Sequence, residues 1–407
     1  MLSADRGQGR FFRNQGGGKN TAICTIPISS NSVKEGIRCR LLYVVGQLAI
    51  GGLERQLYYL LATLDHDRYK PGLVAWNLNP TEKYYQEIAA LNIPIYGLPP
   101  TGSPLSKLRA FRHLARSLAP EVIHSYGFHT NFAAHYAALG TGVVAIGSLR
   151  SDFATVRRAG GRLRGALNAR WPSYHISNSL ACAEAARKES SFLVPRQFAV
   201  VRNGLDLKVF QRSEKAPLER DYVVGVGSLL PVKRWDRFLR AIRAVNEGAV
   251  WPIRFCIAGD GPLRPVLERE ATSMGLTKIM KFLGPVHDVP SLLRSARFLI
   301  HTSQSEGCPN VVMEAMASGI PVIAMEAGDI SSLIDDGKTG FVVRQDDEAA
   351  LAERITRLSS DPSLCRRMGQ AAREKAEREF SLDRLALQTL DAYRAAGWND
   401  TGFRECR

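Results

Sequence analysis

The chain has 407 residues, of which 45% are hydrophobic, and its 54 lysines and arginines against 39 acids give a formal net charge of +15. This length predicts two domains, and the hydrophobic share supports sizeable cores and excludes a wholly disordered chain. The positive balance favours an anionic partner, which means nucleic acid, an anionic membrane surface or a phosphorylated substrate.

The first 37 residues begin with the arginine- and glycine-rich stretch MLSADRGQGRFFRNQGGGKN, which lacks the apolar segment of a secretory signal. They are predicted to form a flexible tail, with a transit peptide as the alternative. Farther along, no apolar run approaches the roughly 20 residues of a membrane-spanning helix.

Short apolar runs alternate with helical patterns along the rest of the chain, which predicts parallel sheets with helices on both faces. Strands are predicted at 40–45, 70–76, 93–98, 121–125, 143–148, 173–179, 221–227, 253–259, 279–284, 296–303, 320–325 and 339–343. Because so many strands rarely share one such sheet, the pattern favours an α/β chain of two Rossmann-like domains with about six strands each.

The boundary between these domains is predicted near Asn203 and Gly204, where an apolar strand ends and a polar stretch follows. A helix with an apolar stripe near the C-terminus is predicted to pack back across the domains. The predicted segments are therefore a tail at 1–37, an N-terminal domain at 38–203, a C-terminal domain at 204–384 and the returning helix at 385–407.

Two basic clusters lie in the N-terminal half. The first contains Lys107, Arg109, Arg112 and Arg116, and the second contains Arg157, Arg158, Arg162, Arg164 and Arg170. A solvated helix face explains either cluster alone. Together they favour peripheral contact with anionic lipid, which predicts a cytoplasmic protein that is peripheral at the inner face of a membrane.

Two glycine-containing loops follow predicted strands and precede helices, as phosphate-binding loops do. The first loop, GQLAIGGLERQ, contains Gly51 and Gly52 but lacks the GxGxxG spacing, so a plain tight turn explains it equally well. The second loop ends in Lys233 and Arg234, where a helix begins. A cation there opposes the helix dipole unless a phosphate is bound, and the alternative is a solvated side chain.

The segment SEGCPNVVMEAMASGIPVIA places Glu306 and Glu314 among small and apolar residues. Pro309 suits the first turn of a helix, so Glu306 is predicted in the loop after a strand and Glu314 within the helix. That strand end is the ligand-binding edge of open α/β sheets. Ribose or hexose hydroxyls would serve buried acids, and the amides at 308–311 would take a diphosphate. The alternative is a helix-dipole acid and a chance exposed residue.

The seven cysteines are scattered, without metal-ligand or redox spacing, which favours a reducing cytoplasm. The eight histidines form no HxxxH-type pair. The sequence therefore predicts neither a bound metal nor another cofactor.

The segment from 305 to 324 resembles the Glu-seven-residues-Glu signature of family 4 retaining glycosyltransferases, which have the two-domain GT-B fold with a cleft between the domains. Further segments are similar to this family's motifs in the same order, namely GGLE at 51–54, RNGLDLKVF at 202–210, VGSLLPVK at 226–233, IAGDGPLR at 257–264, FLGPVHDVPSLLRSA at 282–296 and DDGKTGFVV at 335–343. The resemblance covers about 40–395, and the ordered set of motifs is specific.

The resemblance implies a role for each matching residue. Glu314 would bind the donor ribose, Glu306 the hydroxyls of the donor sugar, and Lys233 the diphosphate. The other implied donor contacts are Gly307, Cys308, Pro309, Asn310, Ser228, Arg234, Gly284 and Val286. Many members have arginine where Ser228 stands, and Arg234 would partly replace that charge. Gly51 and Gly52 would lie near the phosphate or the acceptor, whose pocket belongs mainly to the N-terminal domain.

The N-terminal domain departs from the family at one position. Many members carry a catalytic-site histidine after the strand at 143–148, where this chain reads LRSD. Arg150 is the nearest polar candidate, although a guanidinium cannot act as a base at neutral pH. His124 and His129, in HSYGFH after another strand, are expected to face the same cleft edge. Either is a candidate for the missing imidazole, with a structural histidine as the alternative for each.

The resemblance thus implies a retaining glycosyltransferase that moves a hexosyl group from a nucleoside-diphosphate sugar to an acceptor hydroxyl. The acceptor would be a glycan or a lipid-linked molecule in cell-surface polysaccharide or glycolipid synthesis. The alternatives are another GT-B-like enzyme, such as a nucleotide-sugar epimerase or an inverting transferase, and a non-enzymatic anion binder. Nucleic acid is not predicted as a partner, since the chain has no nucleic-acid module.

Overall fold

The computed structural model describes residues 39–151, 153–189, 194–211, 222–248 and 253–401. The predicted tail at 1–37 lies outside this part of the chain. The described residues form two parallel sheets of seven and six strands, with helices between successive strands. The prediction of two Rossmann-like units is therefore confirmed.

The first sheet has the strand order β3-β2-β1-β4-β5-β6-β7. Its strands are β1 Leu41–Val45, β2 Pro71–Ala75, β3 Ile95–Gly97, β4 Val122–Ser125, β5 Val144–Leu149, β6 Tyr174–Ser177 and β7 Gln197–Val200. Its helices are α1 Gly52–Thr63, α2 His66–Tyr69, α3 Lys83–Ala89, α4 Pro104–Leu118, α5 Asn131–Ala138, α6 Phe153–Ala159, α7 Arg162–Arg170 and α8 Leu180–Lys188.

The second sheet has the order β10-β9-β8-β11-β12-β13. Its strands are β8 Tyr222–Val226, β9 Arg254–Ala258, β10 Met280–Gly284, β11 Ala296–His301, β12 Val322–Met325 and β13 Gly340–Val343. The remaining helices are α9 Trp235–Gly248, α10 Arg264–Ser273, α11 Val289–Ser295, α12 Asn310–Ala317, α13 Ile330–Leu333, α14 Glu348–Ser360, α15 Pro362–Glu379 and α16 Leu382–Ala395.

Strand order reverses next to the first strand of each sheet, at the β1–β4 pair and the β8–β11 pair. All strand pairs are parallel, so the carboxyl ends within each sheet lie on one edge. In α/β sheets of this kind, ligands bind in the crevice at such a switch point. The loops after β1, β4, β5, β8 and β11 are therefore the part of the fold that matters for function.

Helices cover both faces of the first sheet, which explains why its central strands are continuous apolar runs. Every residue of the LLYVV run in β1 is buried. Leu41 and Tyr43 pack with α1 on one face, while Leu42 and Val44 pack with α4 and α5 on the other. Strands buried on both faces lose the polar alternation of a half-exposed strand.

Helix α16 is part of the core of the first sheet, although it follows the second sheet in the chain. Its Leu385, Leu390 and Tyr393 pack in one buried cluster with residues of α1 and β1. Trp398, just beyond the helix, joins this cluster and donates a hydrogen bond from Nε1 to Glu121 at 2.7 Å. The apolar stripe seen in the sequence is thus the face that packs on α1.

Candidate active site

The two acids of the 305–324 segment lie where the sequence predicts. β11 ends at His301, Glu306 lies in the following loop, and α12 begins at Asn310. Glu314 lies within α12, and its side chain is only 5% exposed because nearly every face of this helix is packed. The N–H groups of Asn310 and Val311 precede the first intrahelical bond and are available to an anion.

Glu306 lies in a cluster of charges from two loops. Its Oε1 lies 2.5 Å from Nζ of Lys233, at the end of a short 3-10 turn, and 3.3 Å from Nε2 of His301. Burial acts to raise the pKa of Glu306, but His301 and Lys233 outweigh burial and lower the pKa to about 2. The acid is therefore ionised at neutral pH, and the loops after β8 and β11 are held together by opposite charges.

His301 is a site residue that the sequence alone did not identify. It ends β11, is 4% exposed, and its Nε2 approaches Glu306 without the alignment of a full hydrogen bond. The sequence does offer a clue to His301, which is its position at the end of an apolar strand, five residues before Glu306. A buried polar ring at a ligand-binding edge needs a partner.

Glu314 is paired with Arg55 of α1 in the N-terminal domain. Burial alone would lower the pKa of Arg55, but the carboxylate of Glu314 raises it above the ordinary arginine range. This contact joins residues 259 positions apart, so the sequence pattern could not reveal it. The only local clue to this ion pair is that Arg55 follows the Gly51–Gly52 loop in the sequence GGLER.

The Gly51–Gly52 loop lies against the start of α12. A Cβ atom at Gly52 would lie 3.0 Å from Nδ2 of Asn310, so a larger residue would press on this helix. Asn310 in turn accepts a hydrogen bond from Nδ2 of Asn203 at 2.7 Å. The glycine loop of the first sheet and the helix of the two acids are thus direct neighbours.

Gly307 and Cys308 lie where the two sheets approach each other. A Cβ atom at Gly307 would be 3.5 Å from the backbone oxygen of Arg150. Cys308 is buried, and burial raises the pKa of its thiol to about 12, which excludes a thiolate nucleophile at neutral pH. These residues and Pro309 therefore contribute backbone and shape rather than a reactive side chain.

The remaining predicted donor contacts follow β8 and β10 at the same edge of the second sheet. The backbone oxygen of Ser228 accepts a hydrogen bond from Trp235 Nε1 at 2.9 Å. Arg234 has its Nη2 2.9 Å from Asp236, so its charge already has a partner. Gly284 has a positive φ of 72° and ends β10 just before Val286.

Arg150 follows β5 at the edge of the first sheet. Its guanidinium carbon lies 3.8 Å from the centre of the Tyr126 ring. Its Nε and Nη1 atoms are buried and have no hydrogen-bond partner. Arg150 and His129 both line a cavity of about 620 Å³ between the β1–α1 loop and helices α6 and α7.

His124 does not reach this cavity, so the expectation that it faces the cleft is wrong. The ring lies within β4 and is 1% exposed, with Nδ1 2.7 Å from the Tyr393 hydroxyl and Nε2 3.1 Å from the Ser148 hydroxyl. Burial, and then the charge of Arg150, hold its pKa well below the usual range. His124 is therefore a structural histidine, because its side chain points into the interface between the sheet and a helix.

The described residues lack two features that bear on the site. No group of three or more His, Cys, Asp or Glu side chains there is arranged to hold a metal ion. No helix in the same residues has both the length and the apolar content that crossing a bilayer requires.

Two family models match the chain in succession. Glycosyltransferase Family 4 matches residues 50–209, and Glycosyl transferases group 1 matches residues 208–375. The first range contains β2 to β7, and the second contains β8 to β13.

Several curated proteins are similar to this chain. D-inositol 3-phosphate glycosyltransferase of Streptomyces avermitilis is 31% identical over 217 residues, which are 49% of this chain and 47% of that protein. Alpha-maltose-1-phosphate synthase of Mycolicibacterium smegmatis is 28% identical over 313 residues, or 68% of this chain and 79% of that protein. The matched part of this chain spans about half the length of the Streptomyces relative.

Solved structures share the architecture at low identity. Anabaena HepE in complex with UDP and glucose has a TM-score of 0.74 and 19% identity, covering 88% of this chain and 100% of that chain. The lipopolysaccharide outer core galactosyltransferase WaaB has a TM-score of 0.69 and 14% identity, covering 88% and 99%. The fold is that of the GT-B glycosyltransferases, as the sequence predicted. The two models together match residues 50–375, so the chain is a glycosyltransferase whose N-terminal part matches Glycosyltransferase Family 4 and whose C-terminal part matches Glycosyl transferases group 1.

Proposed function

We propose that the protein is a retaining glycosyltransferase that moves a hexosyl group from a nucleoside-diphosphate sugar to an acceptor hydroxyl. The observation that carries this proposal is the ionised Glu306 beside Lys233 and the free amides that begin α12. Carboxylates recognise sugar hydroxyls, whereas an ammonium group and helix-start amides recognise phosphate. Two relatives, named D-inositol 3-phosphate glycosyltransferase and alpha-maltose-1-phosphate synthase, support the same reaction class.

In the proposed complex, Glu314 binds the donor ribose, Lys233 and the amides of Asn310 and Val311 bind the diphosphate, and Glu306 binds hexose hydroxyls. The bond between the anomeric carbon and the diphosphate breaks as the acceptor oxygen attacks the same face. The departing diphosphate receives the acceptor's proton. Because Lys233 and the amides face the charge that develops on the leaving group, they lower the barrier electrostatically. No metal takes part in this proposal.

We further propose that the protein works at the cytoplasmic face of a membrane, on a glycan or lipid-linked acceptor of surface polysaccharide or glycolipid synthesis. Arg109, Arg116 and Arg158 are exposed, as are the apolar Leu105 and Leu163 at 49% and 73%. Lys107 and Arg112 instead donate hydrogen bonds to the backbone of Trp76 and Leu139. The lipid-facing charge is thus smaller than the two clusters suggest.

The first test is a thermal-unfolding screen with UDP, GDP and ADP sugars, because a ligand of the native state raises its stability. A stabilising sugar nucleotide is then used to measure transfer and the anomeric configuration of the product. Lys233→Ala is expected to lower kcat/KM by about 100-fold or more. Glu314→Gln is expected to weaken nucleotide binding by roughly 10- to 100-fold, since it removes a charged hydrogen-bond acceptor.

Lys281→Ala is the control, because Lys281 is exposed on β10 and has no proposed role. Full activity in both site variants would refute the assignment of Lys233 and Glu314. An inverted product would favour an inverting transferase, and an epimerised sugar nucleotide without transfer would favour an epimerase. Salt-sensitive anion binding without any turnover of sugar nucleotides would favour a non-enzymatic protein. Loss of activity in EDTA would contradict the metal-free mechanism.

A further inference from the structure

The cavity of about 620 Å³ is walled by residues of the N-terminal domain only. It opens at the carboxyl edge of the first sheet, where Arg150, Trp76 and His129 contribute to its lining, and Arg164 of α7 closes one side. The backbone of Arg150 lies next to Gly307, in the loop that carries Glu306. A molecule in this cavity would therefore reach the side of the proposed donor site where the hexose lies.

Arg150 is a half-buried cation, and two of its guanidinium nitrogens are buried without a hydrogen-bond partner in the described part of the chain. Its Nε and Nη1 atoms have no hydrogen bond, and within the described residues no carboxylate forms an ion pair with it. The face of Tyr126 supports the guanidinium from one side. A ring face does not satisfy the N–H groups, and a buried polar group without a hydrogen-bond partner is costly. Among the described residues, no side chain supplies the acceptor that these two nitrogens lack.

The other charged groups of the cavity lining show which ligand suits it. Arg164 is a second cation, whereas Glu54 is the single acid in the lining. Burial raises the pKa of Glu54, its own backbone hydrogen bond opposes this effect, and the charge of Glu82 raises the pKa further. A ligand with an anionic end at Arg150 and hydroxyls near Glu54 matches this distribution.

We propose that the cavity binds an acceptor bearing a phosphate or carboxylate group, with Arg150 as the principal ligand of that anion. That this ligand is the acceptor of the reaction rests on the proposed glycosyl transfer, whereas the anion site rests on the residues of the cavity alone. The donor diphosphate has its own cation, Lys233, on the other domain. Many family members have a histidine at this position. In this chain Arg150 stands there, and it selects an anionic acceptor instead of acting as a base.

The test uses calorimetric titration of the full-length chain with glucose 6-phosphate, glucuronate and neutral glucose. Wild-type protein is expected to bind each anion at least tenfold more tightly than glucose. Arg150→Gln is expected to remove this difference, and Arg150→Lys to restore part of it. Arg164→Gln is expected to reduce it severalfold. Arg269→Gln, an exposed arginine on α10 of the other domain, is the control and is expected to change nothing.

The same titrations are repeated with saturating UDP, GDP or ADP, whichever stabilises the protein. Anion binding that persists with the nucleotide bound places the site in the cavity, whereas competition would assign Arg150 to the donor diphosphate and overturn the proposal. An undiminished preference for anions in a folded Arg150→Gln variant would also overturn it, and circular dichroism checks the fold. If no nucleotide binds but anion binding still requires Arg150, the glycosyl-transfer function fails while the anion site stands.

Discussion

Glu306 shows how the charge of one residue depends on the neighbours that the fold brings to it. Its side chain is only 15% exposed, and an isolated acid at that depth would tend to be neutral. Lys233 and His301 reverse this tendency and lower its pKa to about 2. The paired state fixes two loops before any ligand arrives, so a donor would meet positioned groups.

A change at Glu306 should alter how stability depends on pH. Because its folded-state pKa is depressed, the acid stabilises the native state above the unfolded pKa near 4.5, and this contribution is lost as pH falls towards 2. The full contribution is on the order of 3 kcal/mol. Wild-type stability should therefore fall more steeply than that of Glu306→Gln in urea titrations between pH 5 and 3. Parallel slopes would mean that Lys233 and His301 do not hold the charge.

At the scale of single residues, the sequence predicted which side chains belong to the candidate site better than it predicted which side chains they contact. Lys233 and Glu306 were both assigned to the donor from local motifs, and the structure brings them within 2.5 Å of each other. Arg55 escaped notice because its partner Glu314 lies on another domain. His124 was misjudged because a residue near a strand end can point into the core as easily as into the cleft.

At the scale of elements, the apolar runs in the sequence located the strands of both sheets. All predicted strands overlap strands of the structure, since buried parallel strands are continuous apolar segments. β7 is the apolar strand that was expected to end near Asn203 and Gly204, and it ends at Val200 as a short edge strand with one exposed and three half-buried residues. Edge strands carry a weaker apolar signal, so local pattern defines the centre of a sheet better than its rim.

Helix α16 offers a matched test of its packing. Leu385 is 1% exposed in the core of the first sheet, whereas Leu387 is 59% exposed two residues later. Leu385→Ala should lower the free energy of unfolding by about 2–5 kcal/mol, because it leaves a cavity among α1 and β1 side chains. Leu387→Ala should change it by less than about 0.5 kcal/mol. Equal effects in urea unfolding would contradict the packing of this helix on α1.

At the scale of the whole molecule, the chain passes between the two sheets at two adjacent places. Leu205 donates a backbone hydrogen bond to Phe380 at 2.8 Å, so the outgoing and returning segments lie side by side. Gln56 of α1 exchanges two hydrogen bonds of 2.8 Å with the backbone of Gly204. The motif order could predict two domains, but the contacts between them join residues far apart in sequence and had no local signal.

Asp329 forms a polar contact that links the domains, and it makes their coupling testable. It precedes α13 in the C-terminal domain, is 2% exposed, and accepts hydrogen bonds from the Ser179 hydroxyl at 2.8 Å and from the amides of Leu180 and Ala181 at 3.0 and 2.9 Å. These groups begin α8 of the N-terminal domain. A carboxylate at a helix start satisfies free amides and complements the helix dipole, so it stabilises this interface.

Asp329→Ala should therefore loosen the contact between the domains without disrupting either sheet. Losing a buried charged acceptor costs about 1–3 kcal/mol, which corresponds to roughly 5- to 150-fold faster hydrogen exchange at the Leu180 and Ala181 amides. The radius of gyration in solution scattering should increase, because the domains separate more often. Ser331→Ala, on the exposed side of α13, should leave both measurements unchanged. Unchanged exchange in Asp329→Ala would show that α8 keeps its first turn without the other domain, and that closure depends instead on contacts such as Arg55 with Glu314.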